Sequence, residues 1–290
     1  MSIRDFSLSD GRSLRTWTSG RRGPLTLVYF PGTPAGVTPE QELVDAAEAA
    51  GLALVSIARP GYPGSTRVPG RDVVSVVSDA TQVLEQLGGG DAVVLGWSGG
   101  GPHALACAAH LPCCRAAASL VGIGPADTDL DLDAGMAPEN VEELAAARAG
   151  EPTLRPRLEQ AAAEMTTLDA AALIEAMGEL LPPADRVALT PGRAEEFAAS
   201  GREALADGVD GWLDDDLAFV RPWGFALADI TVPVAVWQGD QDTMVPIAHG
   251  RWLAAHVPTA RAHLLPGHGH MSAGYDHMGE IVADLVALAR

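Results

Sequence analysis

The sequence predicts an α/β fold with a mostly parallel central sheet flanked by helices, and three observations support this. Short apolar runs alternate with segments of helical periodicity across the first 124 residues. The same alternation returns after residue 223. The chain has 290 residues, of which 47% are hydrophobic, so a large core is expected. Alternating strands and helices indicate βαβ units, in which the strands run parallel.

The elements of the first part follow from local pattern. Buried strands are predicted at 25–30, 52–58, 92–96 and 116–124, where short apolar runs occur. Helices are predicted at 38–51, 71–88 and 101–111, the first with Thr38 as its N-cap and Pro39 at its first position. Residues 3–19 contain a Ser-Asp-Gly turn between two strand-like runs, which favours an antiparallel hairpin at the start of the sheet.

Residues 125–222 have a different composition, rich in Ala, Glu, Asp and Leu. Between residues 126 and 216 there are 22 acids and 6 arginines, a net charge of −16, whereas the rest of the chain carries −3. This segment is predicted to be an acidic helical cap, and residues 1–124 and 223–290 to be the core that it interrupts. The acids are expected to form a solvated face. The core continues with strands at 232–239 and 262–266 and helices at 247–256 and 273–289.

Composition excludes several functional classes. A net charge of −19 argues against nucleic-acid binding, which needs a basic surface. No apolar run approaches the roughly 20 residues that span a bilayer, and residues 1–17 have no signal-peptide pattern. Three cysteines do not form a disulfide framework, and all 19 basic residues are arginine. We therefore expect a soluble, cytoplasmic protein with no nucleic-acid or membrane partner, and the oligomeric state stays open.

The strongest chemical signal is the stretch Gly96-Trp97-Ser98-Gly99-Gly100, which fits G-x-S-x-G between a strand and a helix. A nucleophile on such a tight turn needs small neighbours two residues away, so that strand and helix can approach closely. The alternative is an ordinary serine N-cap, but flanking glycines and a preceding buried strand favour the nucleophile. Ser98 is therefore the candidate nucleophile.

Serine needs a base that is oriented by a third group, and the C-terminal part contains both residue types. Asp240 and Asp242 follow the predicted strand 232–239, at the carboxyl end where active-site crevices lie in such sheets. His268 and His270 follow the last predicted strand. The chain order is therefore Ser, Asp, His. Spacing alone leaves open which aspartate and which histidine take part.

Five stretches together resemble the α/β-hydrolase superfamily, in its branch of small capped serine hydrolases similar to esterases and lipases. They are FPGTPAG, ARPGYPGS, GWSGGGPHALA, GDQDTMVP and LPGHGHMS, and the resemblance covers nearly the whole chain. It implies that Asp242 is the triad acid, with Asp240 a turn residue, and that His270 is the base, with His268 in a variable loop position.

The resemblance also implies an oxyanion hole of two backbone N–H groups, from Gly99 after the nucleophile and from the loop after the strand 25–30. Relatives often carry H-G-x-P in that loop, whereas this chain has Pro31 at the histidine position. Because proline has no N–H, the local donors are Gly32 and Thr33, and the resemblance favours Thr33. Arg59 is expected to tie the RPGYPGS loop to the core. Candidate pocket residues are Trp97, Trp212 and Trp223.

These features predict a serine hydrolase that cleaves a small or medium carboxylic ester through an acyl-enzyme. No cofactor and no metal are expected, and the partner is a small-molecule substrate. The same triad also serves amide or prolyl-peptide hydrolysis, C–C bond hydrolysis and perhydrolysis, so these alternatives stay open. A different class, a non-catalytic small-molecule binding or signalling protein on this scaffold, is the remaining alternative.

Overall fold

A single sheet of eight strands organises the chain in a computed structural model that describes residues 1–21, 23–178 and 181–290. The strand order is β1-β2-β4-β3-β5-β6-β7-β8. The first hairpin and the β2–β4 pair are antiparallel, and every other neighbouring pair is parallel. The strands are β1 Ser2–Ser7, β2 Ser13–Thr18, β3 Leu25–Phe30, β4 Ala53–Ile57, β5 Asp91–Trp97, β6 Cys114–Leu120, β7 Val234–Gly239 and β8 Ala260–Leu265. The predicted fold class is confirmed.

Both faces of the sheet are covered, which explains why its central strands are continuous apolar runs. On β3, Leu27 and Tyr29 pack into one hydrophobic cluster, while Val28 and Phe30 pack into another on the opposite face. The helices within the described ranges are α1 Gln41–Ala49, α2 Val76–Gln86, α3 Gly101–His110, α4 Pro138–Ala149, α5 Glu151–Met165, α6 Ala170–Gly178, α7 Pro183–Ala188, α8 Pro191–Ala204, α9 Asp210–Phe219, α10 Ile247–His256, α11 His270–Tyr275 and α12 Met278–Leu288. Buried residues of α1 and α12 join the first cluster, and those of α2, α3 and α10 join the second.

The helix predicted at 38–51 begins later than its sequence suggests. Thr38 was expected to cap it, but α1 begins at Gln41 and the preceding Glu40 is extended, with ψ 144°. The Glu40 carboxylate instead accepts a hydrogen bond of 2.9 Å from the Tyr29 hydroxyl on β3. This contact across the fold holds Glu40 outside the helix, so the Thr38 prediction was wrong.

Two other helices differ from their predicted bounds. The segment 71–88 starts with a 3₁₀ turn at Val73–Ser75, whose N-cap Asp72 accepts from the N–H of Ser75, and α2 follows. The helix predicted at 273–289 is two helices, α11 and α12. Since α11 begins at His270, the candidate base lies at a helix N-terminus, which periodicity alone does not reveal.

The stretch 125–222, which we call the helical segment, contains α4 to α9 and no strand among its described residues. In sequence it lies between β6 and β7. Leu154 and Leu158 of α5 are fully buried in the same cluster as Tyr29 of the sheet. The helical segment therefore packs as part of one continuous apolar core, and its status as a separate cap domain stays a prediction. Among the described residues, no helix is both long and apolar enough to cross a membrane.

Candidate active site

Ser98 lies on a strained turn between β5 and α3. Its φ is 54°, in the left-handed region that non-glycine residues seldom adopt. A Cβ on Gly96 would collide with the Gly100 carbonyl, and one on Gly100 would collide with the Phe30 carbonyl. Both glycines are therefore required by backbone approaching backbone, as the G-x-S-x-G pattern predicted.

The loop after β3 lies beside this turn. A Cβ on Gly32 would lie 3.6 Å from Ser98 Cβ, and one on Gly99 would collide with the Thr33 side chain. The two predicted oxyanion donors, Gly99 and Thr33, are thus neighbours in space. The Thr33–Pro34 peptide bond is cis.

A buried charge network holds this loop from behind. Arg59 donates to the carbonyl oxygens of Pro31 at 2.6 Å and Gly32 at 2.8 Å, and to Thr33 Oγ1 at 2.9 Å. Its counter-ion is Asp215 of α9, fully buried, whose Oδ2 also accepts from Thr33 Oγ1 at 2.8 Å. Arg59 therefore joins its own RPGYPGS loop, which was expected to be tied to the core, to the loop after β3. Asp215 of the helical segment hydrogen bonds to both Arg59 and Thr33.

Asp215 is ionised although it is buried. It pairs with Arg71 as well as Arg59 and accepts from the Tyr62 hydroxyl at 2.9 Å. Burial alone would raise the pKa of Asp215, but the two guanidinium groups outweigh burial and hold that pKa well below its usual range. Asp215 therefore anchors the helical segment to the core through two buried ion pairs.

Asp242 and His270 are hydrogen bonded to each other. His270 Nδ1 lies 2.8 Å from Asp242 Oδ2, and both side chains are buried. The other oxygen, Oδ1, accepts the backbone N–H groups of Met244 at 2.9 Å and Val245 at 2.8 Å. Gln238 Nε2 also donates to Oδ2, at 3.1 Å. The carboxylate is held in one orientation, which fixes the imidazole that it contacts.

The pKa of His270 reflects two opposed effects. Burial alone would lower it, but the charge of Asp242 and its hydrogen bond, with a further contribution from Asp185, outweigh burial and raise the pKa above its ordinary value. Since Nδ1 faces an acceptor, the neutral ring carries its proton on Nδ1 and leaves Nε2 as the basic nitrogen.

The two alternative residues have other contacts. Asp240 Oδ1 accepts the N–H of Gly267 at 2.7 Å, which links the loops that follow β7 and β8. His268 lies with Nδ1 3.1 Å from the Pro266 carbonyl and Nε2 3.2 Å from Nε2 of His277. These contacts suit the turn and loop positions that the resemblance implied.

Sequence reasoning missed Asp185 of α7, in the helical segment. This fully buried carboxylate accepts from the N–H of His270 at 2.8 Å, the N–H of Ser272 at 2.8 Å and the Ser272 hydroxyl at 2.6 Å. A Cβ on Gly269 would collide with it, so the glycine between the two histidines makes room for the carboxylate. No sequence motif identifies this contact, because Asp185 and His270 are 85 residues apart in the chain.

His103 of α3 is fully buried, and its surroundings are those of a neutral core residue. It lies between Phe30 and Phe219 with its ring centroid 6.0 Å from each, and Nδ1 is 3.0 Å from the Gly99 carbonyl oxygen. Burial, together with the nearby charge of Arg59, lowers its pKa to about 3. His103 therefore supports the turn behind Ser98 as an uncharged donor.

All three candidate pocket tryptophans are buried. Trp97 packs edge-on against Tyr275 of α11, with ring centroids 5.3 Å apart. Trp212 donates from Nε1 to Glu143 of α4 at 3.0 Å. Trp223 stacks on Phe225 at 6.0 Å. Trp97 thus joins the nucleophile strand to the histidine helix, and pocket lining stays a prediction for all three.

No group of three or more His, Cys, Asp or Glu side chains within the described ranges is arranged to hold a metal ion. The chemistry available at this edge of the sheet is that of a serine hydroxyl, a buried Asp–His pair and backbone N–H groups.

Known proteins share the fold. The family model described as alpha/beta hydrolase fold matches residues 26–275. An esterase from Thermogutta terrifontis superposes with a TM-score of 0.69 at 15% identity, covering 100% of this chain and 99% of its own. An esterase from Rhodococcus sp. gives 0.69 at 22%, with 100% and 98% covered. An alpha/beta hydrolase fold protein from Nakamurella multipartita gives 0.65 at 25%, with 99% of both covered. A comparison with curated proteins finds no match.

The family match spans 250 residues of the 290, and these structural neighbours cover the chain from end to end. The sheet order, the turn at Ser98 and the helices on both faces agree with it. Family and fold together support a hydrolase. The chain belongs to the alpha/beta hydrolase fold family.

Proposed function

We propose that this protein is a serine hydrolase that cleaves a small or medium carboxylic ester through an acyl-enzyme. One observation carries the proposal: three candidate residues follow three strands of one sheet. Asp242 follows β7 and His270 follows β8, and these two buried side chains are hydrogen bonded at 2.8 Å. Ser98, with its positive φ, follows β5. The carboxyl ends of these parallel strands meet at one edge, where α/β enzymes place their sites.

The chemistry assigns one role to each group. His270 Nε2 takes the hydroxyl proton of Ser98 as Oγ bonds to the ester carbonyl carbon. The N–H groups of Gly99 and Thr33 bind the resulting oxyanion. His270 then gives its proton to the departing alkoxide, which leaves as an alcohol. Water attacks the acyl-enzyme, again with His270 as base, and the acid departs with Ser98 restored.

Two features support efficient use of these groups. The structure assigns no acceptor to the N–H of Thr33 among the described residues, so it is available to a ligand oxygen. Arg59 and Asp215 hold its loop rigid, and preorganised donors are the main source of oxyanion stabilisation. The helical segment would serve as a cap over this site.

Substituting Ser98 tests the proposal directly. We expect wild-type protein to hydrolyse short p-nitrophenyl esters and to react with a fluorophosphonate probe, because both need an activated serine. Ser98→Ala should lose labelling and lower kcat by at least about 10³-fold. An ester and amide panel with varied acyl length, on both proteins, assigns the bond type. Absence of labelling and of Ser98-dependent turnover would refute the proposal.

The same panel decides between this proposal and a binding protein without turnover. Tight binding of a small molecule to the wild type, with no product after long incubation, would favour the binding protein. The printed names of the esterase neighbours favour the ester hydrolase as the first activity to assay.

A further inference from the structure

The helical segment supplies a carboxylate that reaches the loop carrying the candidate base. Asp185 lies on α7, between β6 and β7 in sequence, whereas His270 begins α11 after β8. The carboxylate is fully buried and makes three hydrogen bonds of 2.6 to 2.8 Å to the first turn of α11. Charge-assisted bonds of this length are among the stronger ones in proteins.

These bonds fix the backbone of His270, while Asp242 fixes its ring. Asp185 Oδ2 accepts from the His270 N–H, and Oδ1 accepts from both the N–H and the hydroxyl of Ser272. The Ser272 hydroxyl in turn accepts from the Gly269 N–H at 2.8 Å, which closes the turn. Without Asp185, three of these donors would lose their buried acceptor.

We propose that Asp185 is a positioning residue for the general base, so that the helical segment must be docked for His270 to be in place. This inference rests on the proposed hydrolase function, in which His270 moves the proton of Ser98. Asp185 touches no reacting atom and acts through the backbone at residues 270–272. In this proposal the helical segment completes the catalytic machinery.

Removing the charge of Asp185 should change the pH dependence of kcat/KM, which a purely structural role would leave unchanged. Among the described residues, the charged groups that face His270 are Asp242, from the loop after β7, and Asp185, from α7. A base acts when neutral, so its titration sets the acid limb of the kcat/KM profile. A nearby negative charge favours the protonated imidazole and so raises the pKa of His270. Removing that charge lowers this pKa and moves the acid limb of the profile to lower pH.

The test compares Asp185→Asn with Asp169→Asn. Asp169 also lies in the helical segment and accepts a backbone N–H, that of Ala172 at 2.8 Å, but on an exposed helix end. We expect Asp185→Asn to lower kcat about ten- to hundredfold with KM within about threefold, and to shift the acid limb downward, because small misplacements of a catalytic group are costly. Asp169→Asn should match the wild type. Circular dichroism and urea unfolding of each variant measure any unfolded fraction, so that kcat is compared per folded protein.

Each outcome bears on a distinct claim. If the wild type does not label at Ser98, the proposed hydrolase function fails. If it labels, and Asp185→Asn keeps a kcat within twofold and an unmoved acid limb, only the positioning role is overturned. If Asp185→Asn does not fold, Ser272→Ala decides, since it removes one of the three bonds to Asp185, together with the Gly269 contact, and keeps the charge. We expect Ser272→Ala to lower kcat about three- to tenfold and to leave the acid limb of the pH profile in place. A kcat equal to that of the wild type would overturn the proposal.

Discussion

Asp242 divides its two carboxylate oxygens between two tasks. Oδ1 is occupied by the N–H groups of Met244 and Val245, and Oδ2 faces His270 Nδ1. Because Oδ1 is anchored by backbone, the carboxylate does not rotate away from the ring. An acceptor at Oδ2 selects the tautomer with Nε2 free, and this is the nitrogen that a general base needs.

Asp242→Asn tests this selection against Asp240→Asn. The amide of Asp242→Asn would present N–H to Nδ1, favour the wrong tautomer and remove the charge that raises the pKa of His270. We expect kcat to fall about 10⁴-fold in ester hydrolysis, while Asp240→Asn, which alters a loop contact, stays within about threefold.

The reverse ranking of the two variants would assign the acid to Asp240. Circular dichroism and urea unfolding of both proteins separate loss of folding from loss of catalysis. His268→Ala against His270→Ala resolves the histidine alternative in the same assay.

How far the sequence predicts the site depends on how near the partners are along the chain. Ser98, Asp242 and His270 each stand in a short motif, and the structure brings the last two together. Asp185 and Asp215 stand in no motif, and their partners lie up to 182 residues away. Their roles arise from packing between the helical segment and the core, which local pattern does not encode.

At the scale of elements, the turn between β5 and α3 is limited by backbone contacts. The Gly96 position faces the Gly100 carbonyl, so any side chain there would separate strand from helix. The same holds for Gly100 against Phe30, which links this turn to the end of β3. Strand, turn and adjacent strand therefore share one steric constraint.

Gly96→Ala should destabilise the fold, and Gly192→Ala is the matched control. The added methyl at residue 96 would collide with backbone, and we expect a loss of about 2–4 kcal/mol in the free energy of unfolding. Gly192 lies exposed in α8, and a methyl group added there would project into open space. Alanine restricts the unfolded chain more than glycine and suits a helical backbone, so the control should be at least as stable as the wild type.

Urea unfolding of both variants measures the difference. A Gly96→Ala protein as stable as the wild type would show that the turn can relax, contrary to the tight approach described for it.

The bounds of strands and helices were predictable where the local sequence pattern determines them. They were missed where contacts with distant residues determine them. Apolar runs located the central parallel strands to within about four residues at each end, because burial on both faces leaves a continuous apolar signal. The start of α1 was missed because Tyr29 holds Glu40 in an extended conformation. Helix ends respond to such distant hydrogen bonds, and the sequence around Thr38 contains no trace of one.

At the scale of the whole molecule, buried ion pairs join the helical segment to the core. Asp215 pairs with Arg59 and Arg71, and Asp214 pairs with Arg67 at 2.9 Å. The acidic excess of the segment was expected to be a solvated face, yet these two aspartates are buried. Part of the charge therefore determines where the segment docks.

Asp215→Asn should weaken the whole fold and remove part of its pH dependence. Leaving two buried arginines without their carboxylate costs about 3–5 kcal/mol near neutral pH. Since the folded-state pKa of Asp215 is depressed, its contribution is present above the unfolded pKa of roughly 3.9 and is lost as pH falls below it. The difference in free energy of unfolding between the wild type and Asp215→Asn should therefore become smaller as the pH is lowered.

Urea unfolding of both proteins at pH 7 and at successively lower pH values measures that difference. Glu195→Gln, which breaks an exposed pair with Arg202, is the control and should cost at most about 1 kcal/mol at any pH. Equal effects of the two substitutions at pH 7 would contradict the structural role given to Asp215.

The left-handed backbone of Ser98 has a consequence for how this chain can change. Holding a serine at φ 54° costs on the order of 1 kcal/mol, and glycine would adopt the same conformation without that cost. Selection for stability alone would therefore replace the residue on which the proposed activity depends. If the serine is retained across descendants of this gene, its retention records selection for chemistry rather than for folding.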